Sequence, residues 1–208
     1  MTRKKGFLVL LSFLLVCSSC IFFGTDWGRD IVGIPIDASI SYRPMAEKDI
    51  HNVFKTEVES FKNDDVWSEA AIEQYFKQPN HRGVVATRGK RIIGYVLYDL
   101  EYQDKRYKGE PGHACVISIS VLPDYQGKGI GTELVQRSIN SAREHGCTSI
   151  MLHVRQSNKG AIHVYEKAQF KKVDTEKNYY HSPAEDADIM ELALASTKKA
   201  AKENKHAA

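Results

Sequence analysis

Between residues 36 and 195, apolar positions fall into short runs whose period switches between two and about 3.6 residues. Ile36 to Arg43 partly alternates and predicts a strand ended by Pro44. From Ala46 to Phe61, Ile50, Val53, Phe54, Val58 and Phe61 form a helical stripe. Ser68 can cap a second helix over 69–77, with Ile72, Tyr75 and Phe76 on one face. Two β-rich runs, 83–88 and 91–102, meet at Gly89-Lys90 and predict a hairpin. A strand over 113–122 leads through Gly127-Lys128-Gly129-Ile130-Gly131 into a helix that Gly146 stops after His145. A strand over 149–155, a helix over 158–168 and strands over 170–174 and 187–195 complete the order. The pattern β-α-α-β-β-β-α-β-α-β-β predicts a mixed α/β sheet with flanking helices.

The two ends break this pattern. Arg3-Lys4-Lys5 precedes an uncharged run from Phe7 to Phe23, at the short end of the roughly 17–25 residues a membrane span needs. Residues 1–35 therefore read as a hydrophobic leader and linker, either a signal anchor or a cleaved secretory signal. Residues 196–208 are rich in Lys and Ala without apolar periodicity and read as a basic, disordered tail. The chain has 208 residues and a formal charge of +3, with +2 in the leader and +3 in the tail, which leaves 36–195 at −2. One domain accounts for that length, and so small a positive surplus argues against a dedicated nucleic-acid binder. Of four cysteines, Cys17 and Cys20 lie in the leader, so Cys115 and Cys147 do not make a disulfide framework. His51, His113, His163 and His181 lack metal-ligand spacing, and no metal is assigned.

The strongest motif runs from Val121 to Thr132, a strand turning through glycines into a helix. Glycines let consecutive N–H groups converge, and a helix N-terminus adds unpaired donors and partial positive charge. Together they make a pyrophosphate cradle. The motif follows the fourth strand rather than the first and lacks a Gly-Lys-Ser/Thr ending, so neither the dinucleotide fingerprint nor the nucleotide P-loop fits.

Gln126-x-x-Gly129-x-Gly131 after a strand resembles the acetyl-CoA motif of the GNAT N-acetyltransferase superfamily. A second stretch, Leu152 to Phe170, is similar to that family's strand followed by Asn-x-x-Ala-x-x-x-Tyr-x-x-x-x-Phe, carried here by Asn158, Ala161, Tyr165 and Phe170. The resemblance spans about 36–195 and implies the GNAT fold, a mixed sheet splayed between strands 4 and 5. Phe61 with Val66-Trp67-Ser68, the Val154 to Asn158 run, and Asn178-Tyr179-Tyr180 before Glu185 to Asp188 resemble the N-terminal protein acetyltransferases of the ribosomal-protein-alanine type. The chain departs from the family at Gly127, where a basic residue is common, and at Gln169, where Gly is usual.

The resemblance implies roles residue by residue. Ile119, Ser120 and Val121 line the pantetheine arm of acetyl-CoA, with the Val121 N–H as oxyanion donor. Gln126, Gly127, Lys128, Gly129, Ile130, Gly131 and Thr132 hold the pyrophosphate, and Asn158 bonds the pantetheine or caps its helix. His153 stands where relatives carry Glu or His and is the expected general base, acting through water. Tyr165 is the expected acid for the leaving thiolate. Ser118 and Cys115 stand where some relatives place a base on the fourth strand, and both are poor bases, so Glu101 is the reserve. Phe61, Tyr179 and Tyr180 are the expected substrate clamp.

The implied function is acetyl transfer from acetyl-CoA to an amine, foremost the α-amine of a protein N-terminus, by direct attack in a ternary complex. The alternatives are a small-molecule amine or lysine side chain as acceptor, or a non-catalytic acyl-CoA-binding, membrane-tethered protein. The expected partner is a protein or peptide N-terminus, with membrane contact through residues 7–23 and no specific nucleic acid. Membrane association is the expected location, with the cytoplasm as the alternative.

Overall fold

The computed structural model describes residues 39–61, 66–107 and 110–194. The leader with its 7–23 run, and the tail from 196, lie outside the described residues. No helix of the described residues is long and apolar enough to cross a membrane.

Among the described residues seven strands form one sheet in the order β1-β2-β3-β4-β5-β7-β6. They are β1 (Ile40–Pro44), β2 (His81–Arg88), β3 (Arg91–Asp99), β4 (His113–Val121), β5 (Ser149–Arg155), β6 (Lys171–His181) and β7 (Ala184–Ala193). Among the described residues four α-helices cover the sheet: α1 (Ile50–Ser60), α2 (Glu69–Phe76), α3 (Ile130–His145) and α4 (Lys159–Lys167). Only β4 and β5 run parallel, joined by α3; the other neighbours are antiparallel. The fold class and element order are those the sequence predicts.

Two cores flank the sheet. On one face α3 packs Ile130, Leu134, Val135, Ile139 and Ala142 against Ile93, Val96, Val116 and Leu152. The 130, 134, 135, 139, 142 spacing is the stripe a helix needs to lie on a sheet. Gly146 ends α3 at φ 85°, a left-handed conformation that costs Gly little, and its N–H caps the carbonyls of Ala142 and Arg143. On the other face α1 and α2 pack Ile50, Val53, Ile72 and Tyr75 against Val85, Tyr95 and Leu97. Ser68 caps α2 as predicted, its hydroxyl accepting from the Ala71 N–H at 3.1 Å.

Two expectations change. Val58 belongs to the predicted stripe of α1 but is half exposed, and Glu57 takes the buried position one residue earlier. The strands expected at 170–174 and 187–195 extend into a long hairpin, 171–181 with 184–193. Most of β6 is exposed because it is the sheet edge, so its outward positions are polar and hide the strand from an apolar count.

Two irregularities prepare the site. In β4, Leu97 pairs with Ser118 and Tyr98 with Val116, so Ile117 is an extra residue. This bulge turns both Ile117 and Ser118 toward the α1 face, where they meet other residues of that face. Pairing of β4 with β5 ends at Val116–Leu152, and beyond it the two strands separate. This is the splay the resemblance implied.

Candidate active site

A cavity of about 670 Å³ opens where β4 and β5 part. That is ample for one extended ligand arm and an acceptor side chain. Ile117, Ser118 and Ile119 line it from β4, His153, Val154 and Arg155 from β5, and Asn158 and Tyr165 from the α4 segment. Glu57, Phe61 and Trp67 close it on the α1–α2 side; Tyr102, Tyr179 and Tyr180 line it too.

His153 has 8% of its side chain exposed, and its Nε2 lies 3.1 Å from the Glu176 carboxylate. An ionised carboxylate only accepts, so Nε2 carries the proton and Nδ1 keeps the free lone pair. Burial pushes the imidazole below its ordinary pKa, while Glu176 pulls it part of the way back. The ring is therefore neutral at pH 7 and able to take a proton. Tyr179 stacks on it, centroids 4.4 Å apart and planes within 3°. Between these two contacts β6 bulges. Register shifts between Glu176 and Tyr180, Asn178 adopts φ 52°, and Asp186 accepts from the Asn178 N–H at 2.9 Å and from Lys177 Nζ at 2.6 Å.

Tyr165 is buried, with a phenol pushed well above its usual range by burial, and it stays neutral. Asn158 caps α4 through Oδ1, which accepts from the Ala161 N–H at 3.1 Å. Its amide NH₂ remains a potential donor to the cavity it lines. Arg155 lies over the Tyr180 ring at 4.1 Å and bonds Glu185 at 3.1 Å and the Pro183 carbonyl at 2.9 Å. Glu185 also accepts from the Ser157 N–H at 2.6 Å, so one carboxylate ties the β6–β7 hairpin to the turn before Asn158.

The glycine loop lies beyond this cavity, further along β4. Gly127 and Gly129 sit at φ 72° and 79°, where side chains are strained. The 16-residue α3 follows Gly129, an N-cap residue without a side chain to cap it, leaving its first-turn N–H groups available. Ile130 is buried beneath the loop, while Gly131 and Thr132 occupy the first turn. Gln126 Nε2 donates to the Val121 carbonyl at 2.9 Å, fixing the loop to β4. Lys128 donates to the Asp124 carbonyl at 2.8 Å and lies over Tyr125. The Leu122 N–H bonds the Ile93 carbonyl of β3, so by strand alternation the Val121 N–H points the other way, toward the gap. Ser120 is buried, and its hydroxyl has no partner among the described residues. Uncapped amides, left-handed glycines and an open strand edge fit a pyrophosphate with an extended arm.

The cavity thus collects His153, Tyr165, Asn158, Ile119, Phe61, Tyr179 and Tyr180. Ser120, Val121 and the 126–132 loop lie on the same strand and its exit. Glu101 does not line the cavity; it accepts from Asn80 at 2.7 Å and faces His145 at 3.5 Å, which removes it as a reserve base. Burial holds Cys115 as the thiol. Glu57, Tyr102 and Glu176 went unread in the sequence. For Glu57 a signal existed, an acidic residue four positions after Val53 on a buried stripe.

The GNAT acetyltransferase family model matches residues 48–170, which include both the loop and the β5–α4 stretch. The chain belongs to the GNAT family. An N-alpha-acetyltransferase from Saccharolobus solfataricus is 39% identical over 116 residues, 53% of this chain and 68% of that protein. The N-alpha-acetyltransferase RimI of Mycobacterium tuberculosis is 28% identical over 146 residues, 70% of this chain and 87% of that one. The structure of Arabidopsis thaliana NAA60 in complex with acetyl-CoA superimposes with a TM-score of 0.63 over 74% of this chain and 98% of that one, at 16% identity, a likeness of fold. This GNAT chain is accordingly an acetyltransferase, and the cavity at its β4–β5 splay is its candidate active site.

Proposed function

We propose that this protein transfers an acetyl group from acetyl-CoA to the α-amine of a protein N-terminus. The observation that carries the reading is the meeting of His153, Tyr165 and Asn158 in one cavity roofed by Tyr179 and Tyr180. In this reading the 126–132 loop and α3 amides hold the pyrophosphate, and β4 beyond Val116 lines the arm. The Val121 N–H faces the position of the carbonyl oxygen, where a fixed donor stabilises developing negative charge.

An α-ammonium with pKa near ~7.7–8.0 must lose a proton before it attacks. Neutral His153, held by Glu176 with Nδ1 free, accepts a proton from the attacking nitrogen through water. Tyr165, kept neutral by burial, supplies the proton that the departing thiolate needs. Direct attack needs both substrates bound at once, which one continuous cavity accommodates.

The aromatic hairpin favours a peptide end over a lysine side chain. Tyr179 and Tyr180 crowd the approach to His153, and an extended chain entering between Phe61 and Tyr180 presents its terminus first. The names of the archaeal and mycobacterial relatives support the same acceptor. Mass spectrometry of peptide libraries incubated with the protein and acetyl-CoA tests this. Label is expected on α-amines and is abolished by blocking them; label confined to lysine side chains refutes the N-terminal reading.

A further inference from the structure

Glu57 is a carboxylate where α1 should carry an apolar residue. It follows Ile50 and Val53 on the buried stripe and is 1% exposed, yet it lines the cavity that holds His153. One oxygen accepts from the Trp67 N–H at 3.2 Å; the other accepts from the Tyr95 hydroxyl, which lies 3.0 Å from Ser118 Oγ. This hydrogen-bonded line ends on the bulged part of β4, where the splay begins. Burying a carboxylate is costly even when it is hydrogen-bonded, so its position on a reaction cavity asks for a chemical use.

Resting on the acetyl-transfer reading above, we propose that Glu57 is a second proton acceptor of the site, taking the first of the two protons the amine loses while His153 takes the second. An amine arriving as R–NH₃⁺ gives one proton to the Glu57 carboxylate, which becomes the acid. The neutral amine then attacks the thioester carbonyl, the C–N bond forms, and the nitrogen sheds its second proton to His153. The C–S bond breaks and the thiolate takes a proton from Tyr165, which His153 restores. Glu57 releases its proton to solvent as product leaves. One ammonium and one thioester thus yield one amide, one thiol and one free proton.

Two observations make the division of labour fit. Glu57 and His153 line the same cavity from different elements, α1 and β5. Burial also raises the Glu57 carboxyl from 4.5 to about 7. At that value, transfer from an α-ammonium of ~7.7–8.0 runs close to thermoneutral, whereas an ordinary carboxylate lies more than three pH units away. The titratable and charged groups facing the cavity with Glu57 are Tyr102, Cys115, His153, Arg155, Tyr165, Tyr179 and Tyr180; Tyr95 bonds it from β3.

The test is Glu57→Gln, whose carbonyl oxygen keeps the bond from Trp67. Its kcat/KM is expected to fall at least about tenfold near pH 7, the gap closing to within about threefold near pH 9, where the peptide amine is already neutral. His153→Ala should stay impaired at both values. A Glu57→Gln profile matching wild type, or lower by the same factor at every pH, overturns the proposal and leaves Glu57 a structural residue. Should that variant misfold, carbon-13 NMR of the wild-type protein labelled at glutamate carboxyls decides instead. A buried carboxyl titrating in the neutral range, and shifting when peptide binds, supports the proposal; every glutamate titrating in the ordinary carboxylate range refutes it. The N-terminal assignment fails separately, if wild type modifies lysines alone, and the Glu57→Gln comparison is then read on the lysine peptide.

Discussion

The cavity and the glycine loop beyond it are made of different material. The loop region is backbone: left-handed Gly127 and Gly129, uncapped α3 amides, and strand edge beyond Val116. The cavity wall is side chains: Glu57 from α1, His153 from β5, Tyr165 from α4 and Tyr179 from β6, with Glu176 behind His153. A backbone cradle depends on a few glycines and tolerates change in the other side chains. A side-chain wall gathered from four elements depends on each member and on every strand that delivers it. Damage to the first should therefore appear as lost binding, and damage to the second as lost turnover.

The sharpest test is His153→Ala, which should lower kcat by about 100-fold or more while calorimetry with acetyl-CoA shows unchanged affinity. Tyr165→Phe should lower kcat by about tenfold or more with the same unchanged binding. Substitution on the backbone side should do the reverse. Gly129→Val forces a β-branched residue to φ 79°, a strain of about 1–3 kcal/mol, and should weaken acetyl-CoA binding about tenfold or more. If Gly129→Val changes kcat alone, the division between the two walls is wrong.

A smaller effect is expected at Glu176→Gln. The bond from His153 survives, but the negative charge that raises the imidazole pKa is gone. The acidic limb of the pH–rate profile should move to lower pH, with kcat falling a few-fold; a limb that stays in place argues against His153 as the titrating base. The gentlest test reads stability. The Glu57 carboxyl binds its proton more tightly folded than unfolded, so its contribution favours the fold below about pH 4.5 and is lost as pH rises through about 7. The loss approaches about 3 kcal/mol, and urea titrations of Glu57→Gln should show it removed.

The sequence carries the backbone wall openly, because glycine spacing is local and a helix start follows at once. His153, Tyr165 and Asn158 are also legible, since the β5–α4 stretch sets them within thirteen residues. Glu176 and Tyr179 are harder. They lie on either side of the β6 bulge around Asn178, whose N–H Asp186 accepts, and no local pattern signals their meeting with His153. Glu57 is hidden by Val58, whose apolar side chain invites the wrong phase for α1. The long hairpin is missed for the same reason that edge strands resist aggregation: polar residues on the outside.

The placement of β7 between β5 and β6 has a consequence for how the enzyme is born. On the ribosome, a nascent chain displayed through residue 170 already holds the glycine loop, His153, Asn158 and Tyr165. It has neither Glu176 to set the imidazole tautomer nor Tyr179 to stack on it, and β5 has no outer neighbour until residues 187–193 arrive. The glycine loop and the β5–α4 stretch are thus complete in the growing chain before the strand that flanks β5 and the residues that orient His153.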